Sequence, residues 1–363
     1  MSLKPMALKG FKRTPYIDNA LPVSSKVFAG WAQILFEHFS REHIKCIDNL
    51  AICSSFHPQS QDVGLSSYLS ETKQVIPLNI GKHDGLNFWG VEALLSAWGL
   101  LQTDKFNELL IVGGQAFSHD EKLLFQKKDS FDGRLATQAE LLAREMKFER
   151  EFLDQFKAEQ LNLSKKSSSH GLYAHELLSV FIGEGVRKLV KTDQLPYRNV
   201  SYSELSSLPL LIDHLRGIVT DGTISPACSS LAMILLSSDP SSSDLVLSNY
   251  SLNSYQGESW GEFLLSCLKK WEVQSGPFSH YSRFEFVELS APQSLIMRES
   301  LNKVGVETNL INQWGGCLGK GFCSPIEGLV SLGHFNSLKA NEKGLLLVTH
   351  ADGHLLLLEV GKF

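Results

Sequence analysis

Apolar residues recur along this chain in two rhythms. Asp48 to Ser54 and Glu108 to Gly114 are short, nearly unbroken apolar runs of the kind buried parallel strands show, and Phe88 to Leu101 between them follows a helical period. The same grammar returns after Leu245: a strand to Asn249, a helix at Trp260 to Trp271, a strand at Phe284 to Leu289 and a helix at Ala291 to Val304. A glycine-rich loop, a further helix and a strand pair across Leu345 to Val360 complete it. Two such halves predict parallel sheets with helices on their faces.

Between the halves the pattern changes. Gln138 to Leu161 is charged and amphipathic, with Leu141, Phe148, Phe152 and Phe156 expected on one helical face, and it runs into the polar Lys165-Lys-Ser-Ser-Ser169. This predicts an inserted, helical, more exposed region. Turn residues at Ser203 to Pro209 and Asp221 to Pro226 mark the return to a sheet, and the serine-rich Ser237 to Asp244 is the linker candidate. The expected units are residues 1–118, with a returning strand near 231–238, a helical insertion at 119–220, and a second half at 239–363. The pair Gly113-Gly114 ends a strand where a backbone must pass close to a neighbour.

Composition narrows the chemistry. With 43% apolar and 20% charged residues the chain is an ordinary globular protein, and its net charge of -5 supplies no long-range attraction for nucleic acid or an anionic membrane. Its cysteines form no C-x-x-C pair and its histidines show no H-x-x-x-H spacing on an expected helix, His350 and His354 falling within the strand pair, so no metal site is expected. No stretch reaches the roughly 20 apolar residues that span a bilayer. A cytoplasmic protein with reduced thiols is expected.

The most informative segment is Asn312-Gln-Trp-Gly-Gly-Cys-Leu-Gly-Lys-Gly-Phe-Cys-Ser-Pro-Ile-Glu-Gly328. It resembles, without a gap, the thiolase glycine signature N-x-N-G-G-x-x-x-x-G-H-P-x-G-x-S-G. Other landmarks follow in order: Arg13-Thr-Pro15 resembles the opening R-T-P, and Gln138-Ala-Glu-Leu-Leu-Ala143 with Arg150, Asp154 and Gly171 resembles the family's loop domain. Ser203-Glu-Leu with Leu208-Pro209, and Gly222-Thr-Ile-Ser225, are similar to two later motifs. The resemblance implies a layered α-β-α-β-α fold of two similar βαβ halves with five-stranded, mostly parallel sheets and a helical loop domain. It also implies a homodimer, a place in lipid metabolism and CoA or acyl-CoA as ligand, with no covalently bound cofactor.

The family's Claisen chemistry uses a nucleophilic cysteine, an asparagine or histidine that holds an oxyanion water, a histidine that activates the nucleophile, and an acid-base cysteine. By resemblance those positions fall on Asn87, Ser290, Phe322 and Thr349. A carboxamide cannot attack a thioester and a phenyl ring carries no proton, so acyl transfer is expected to be lost. Ser230 matches a serine that lies against the pantetheine arm of CoA, although the chain is shorter just beyond it. The implied role is acyl-CoA binding, or pairing with an active paralogue.

The enzymatic alternative is acyl transfer or thioester hydrolysis by another residue set: His350, beside the Thr349 slot, with Cys323 or Cys228. Ala227-Cys-Ser-Ser230 resembles the nucleophile run of ketosynthases, and its bland counterpart is a buried, small apolar thiol. Phe322 with Phe88 and Trp89 either packs an emptied cavity or lines an apolar acyl pocket.

Overall fold

The structure, a computed structural model, describes residues 4–18, 21, 23–42, 50–56, 76–79, 89–103, 105–116, 131–183, 186–194, 201–212, 217–241, 244–323, 326–349 and 353–362. The first half contributes β1 (Met6–Arg13), β2 (Ile17–Asp18), α1 (Ser25–Glu42), β3 (Leu50–Phe56), β4 (Ile76–Asn79), α2 (Trp89–Leu101) and β5 (Glu108–Gln115). There follow α3 (Phe131–Glu145), α4 (Arg150–Ser169), the hairpin β6 (Val180–Ile182) and β7 (Lys188–Val190), and α5 (Tyr202–Ser206). The remainder comprises β8 (Cys228–Ser237), β9 (Leu245–Ser254), α6 (Trp260–Ser275), β10 (Tyr281–Phe286), α7 (Ala291–Lys303), α8 (Cys317–Lys320), α9 (Glu327–His334), β11 (Lys343–Thr349) and β12 (His354–Lys362).

The strands join in the order β10-β11-β12-β9-β1-β8-β5-β3-β4, with β2 against β8. The parallel pairs are β3 with β4, β3 with β5, and β10 with β11. The sheet is nevertheless mixed, which corrects the expectation of mostly parallel pairing. β8 runs antiparallel to both β1 and β5, and β12 follows β11 after residues 350–353, a connection too short for a parallel crossover. The halves meet edge to edge at Met6–Leu8 of β1 and Leu245–Leu247 of β9.

Strand alternation sorts the core into layers. Leu109 and Ile111 of β5 face a central cluster with α2 and α9, which also takes Leu346 and Val348 of β11 and Leu356 and Leu358 of β12. Leu110 and Val112 face the opposite way, against α1. Leu345, Leu347, Leu355 and Leu357 pack on α6 and α7. The order helix, sheet, helix, sheet, helix follows from these three clusters, as expected. At Gly114 an added Cβ would lie 2.7 Å from the Ser230 carbonyl oxygen, so the expected close approach is real.

The inserted helices depart from the predicted stripe. The chain breaks at Lys147, whose φ of 55° ends the first helix, so α3 and α4 do not share one face. Leu141 and Phe152 are exposed, while α4 buries Leu153, Phe156, Lys157, Gln160, Leu161 and Ser164. Packing against the glycine loop, rather than the apolar count, selects that face: an added Cβ at Gly319 would collide with the Gln160 carbonyl oxygen.

Candidate functional site

Four segments meet where β5 and β11 end and β8 begins. Asn312 anchors the glycine loop to β10 through both amide atoms: its Nδ2 donates to the Phe286 carbonyl at 2.9 Å and its Oδ1 accepts from the Phe286 amide at 2.7 Å. Gly315 (φ 87°) and Gly321 (φ 114°) turn the loop in a region that side chains avoid. The loop then lies against residues 226–228: the Phe322 amide donates to the Pro226 carbonyl and the Cys228 amide to the Phe322 carbonyl, both at 2.8 Å. Phe322 is wholly buried in the central cluster with Cys228, Leu318, Cys323 and Ile326.

Ser290 is reached through the same strip of chain, since Ile224 bridges to Ser290 and the Ser225 amide donates to the Leu289 carbonyl at 2.9 Å. It caps α7 by accepting the Gln293 amide at 3.4 Å. Gln293 in turn accepts from the Leu289 amide at 2.9 Å and donates to the Thr349 hydroxyl, so Ser290 and Thr349 are tied together in a buried setting. The fold thus brings Phe322, Ser290 and Thr349 to one junction. Asn87, Phe88 and His350 lie outside the described residues, as does the side chain of Trp89.

The thiols at this junction are poor nucleophiles. Burial pushes Cys228 and Cys323 up, and each donates to a carbonyl oxygen at 3.5 Å, Pro226 and Ser230 respectively. Cys228 opens a buried strand with Gly321 pressed on its sulfur, where an added Cβ would stand 2.6 Å away. Ser230 donates to the Thr14 carbonyl at 3.0 Å and is buried.

Sequence reasoning missed the polar chain behind the loop. Glu327 accepts from the Tyr16 hydroxyl at 2.7 Å, the Cys323 amide at 2.6 Å and the Cys317 thiol at 3.2 Å. Burial raises the Glu327 carboxyl despite Lys320 and these donors, and it raises the Cys317 thiol, which also faces Glu327. Lys320 lies 3.0 Å from His334 Nε2, and His334 Nδ1 lies 2.9 Å from Glu285. Burial opposes ionisation of Glu285, but Arg283 and His334 outweigh it and hold the carboxyl at about 2. Arg13 donates to Glu176 at 2.6 Å and to both oxygens of Asp193 at 2.6 and 2.8 Å. One signal in the sequence pointed here: Glu327 places a carboxylate in the serine slot of the glycine signature, inside an otherwise apolar run, and such a group requires buried partners.

Lys157 is a second buried charge. It donates to the Ile224 carbonyl at 3.0 Å, and burial lowers it from 10.5 to about 7 against the field of Glu288. Among the described residues no His/Cys/Asp/Glu cluster could hold a metal ion, and no helix is long and apolar enough to cross a membrane.

Residues 88–239 match a family model described as the thiolase N-terminal domain. No curated protein matches the chain. Among solved structures, the Bacillus anthracis acetyl-CoA acetyltransferase is similar at TM-score 0.78 and 15% identity, covering 100% of both chains. A thiolase from Ascaris suum in complex with coenzyme A gives 0.77 and 15%, covering 99% of this chain and 100% of that one. The dimeric peroxisomal thiolase of Saccharomyces cerevisiae gives 0.74 and 15%, covering 100% and 98%.

Proposed function

From a chain with a thiolase-like layered fold whose residues 88–239 match the thiolase N-terminal domain model, we propose a thiolase relative that has given up Claisen condensation and thiolysis. It acts as an acyl-CoA-binding protein or as a pairing subunit, and it forms a homodimer. In this reading Asn87, Ser290, Phe322 and Thr349 stand at the family's catalytic positions without its chemistry. The observation that carries it is Phe322: where an imidazole would take a proton from a thiol, a phenyl ring is sealed into the core, its own backbone hydrogen-bonded on both sides.

Two further observations support it. Ser290 and Thr349 each accept a hydrogen bond from Gln293, one as a helix cap and one through its side chain, and neither has a described basic partner that would make its hydroxyl a nucleophile. The competing set of Cys228 or Cys323 with His350 would need a thiolate, and burial disfavours that charge at both cysteines. CoA as a ligand rests on the fold shared with a neighbour that holds coenzyme A, and dimerisation on one described as dimeric.

The test is an assay with acetoacetyl-CoA and CoA, paired with calorimetric titration of CoA. No thiolysis above the uncatalysed rate is expected, with saturable CoA binding marking the ligand role and its absence the pairing role. Robust turnover that disappears in Cys228→Ala or Cys323→Ala would overturn the proposal.

A further inference from the structure

A cavity of about 550 Å³ opens beside β1, and none of Phe322, Ser290 and Thr349 lines it. Leu8, Phe11 and Leu245 form an apolar floor and Trp314 a wall, while Lys9, Lys12, His175 and Asp244 supply charge and polarity. Its volume lies in the range of small-molecule sites. We propose that it binds a small organic anion with a flat apolar body, the phosphate or carboxylate group held between Lys9 and Lys12 and the body against Trp314.

The charge pattern comes first. The pairing of β1 with β8 slips between Leu8 and Gly10, and this bulge re-aims Lys9. Lys9 pairs with Asp244 at 2.6 Å, and the same carboxylate oxygen takes the Ser241 amide at 2.6 Å and its hydroxyl at 2.7 Å. Asp244 is therefore screened by its own donors. Lys12 donates only to the His175 carbonyl, at 2.7 Å, among the described contacts. An ammonium carries three N–H groups, so both lysines keep donors for an incoming anion, and the lining carries a net positive charge.

The wall is held in place. The Arg283 guanidinium lies 4.0 Å over the Trp314 ring, its own charge offset by Glu285, and it donates to Ser337 at the cavity rim at 2.6 Å. The His175 ring meets Trp314 edge-on at 5.8 Å, and the Tyr173 hydroxyl donates to the Trp314 carbonyl. A platform fixed before binding loses little freedom when a flat ligand arrives. His175, Asn336 and Ser337 are exposed, which gives the cavity an open mouth.

Calorimetric titration of the full chain with phenyl phosphate, and separately with inorganic phosphate, tests this. One-site saturable binding of phenyl phosphate is expected, with inorganic phosphate at least about tenfold weaker and Lys12→Met weakening phenyl phosphate by about tenfold or more. Asn336→Trp, which fills the mouth and breaks no described hydrogen bond, should abolish binding without shifting the melting temperature. If Lys12→Met does not fold, Asn336→Trp decides. No saturable heat, equal affinity for the two probes, or unchanged binding in Asn336→Trp would overturn the proposal.

Discussion

The two sides of the glycine loop have been filled in opposite ways. Toward residues 226–228 the loop presents Phe322 to an apolar, close-packed core. On its other side Lys320 and Glu327 enter a buried chain that runs through Tyr16, Cys317 and His334 to Glu285. An apolar plug needs only the right volume, whereas a buried charge needs every partner in place. The two sides should therefore answer substitution very differently.

The largest effect is expected on the polar side. Arg13→Met leaves Glu176 and Asp193 facing each other without their shared cation, at a cost of about 3–5 kcal/mol in urea unfolding. Phe322→Leu, a nearly volume-conserving change on the apolar side, should cost below about 1.5 kcal/mol. Equal costs would erase the contrast.

Lys157 sharpens it through pH. Its amine is held near 7 in the folded chain and at its usual 10.5 in the unfolded one, so the unfolded state binds the extra proton between those values. Stability should rise as pH rises from 7 toward 10.5. Lys157→Met should remove that slope and add about 1–3 kcal/mol at neutral pH, because a buried, poorly matched charge is replaced by an apolar chain of similar length. Denaturant melts at several pH values check both. The smallest effect belongs to Ser290→Ala, about 1 kcal/mol from the lost α7 cap, with no change in any acyl-transfer readout.

Much of the frame was legible in the sequence because it is periodic and local. The helix at Phe88 to Leu101 and the strand ending at Gly113-Gly114 recur as α2 and β5, and the linker serines fall between β8 and β9. Ser290 could have been recognised as a cap from Ser-Ala-Pro-Gln, a hydroxyl followed by a proline at the helix start. What was not legible depends on contacts distant in sequence. Leu141 and Phe152 had the right spacing for one face, but a helix break at Lys147 and the approach of the glycine loop decide which residues of α4 turn inward. Lys157 reads as part of a solvated charged face until that packing is known. Arg13 meets its partners 163 and 180 residues away, a pairing no local pattern carries.

The central claim, that the junction around Phe322 is chemically closed, is tested most directly by intact-mass measurement after incubation with acetoacetyl-CoA. An unchanged mass is predicted, with every cysteine unacylated. A stoichiometric acyl adduct on Cys228, Cys317 or Cys323 would contradict it.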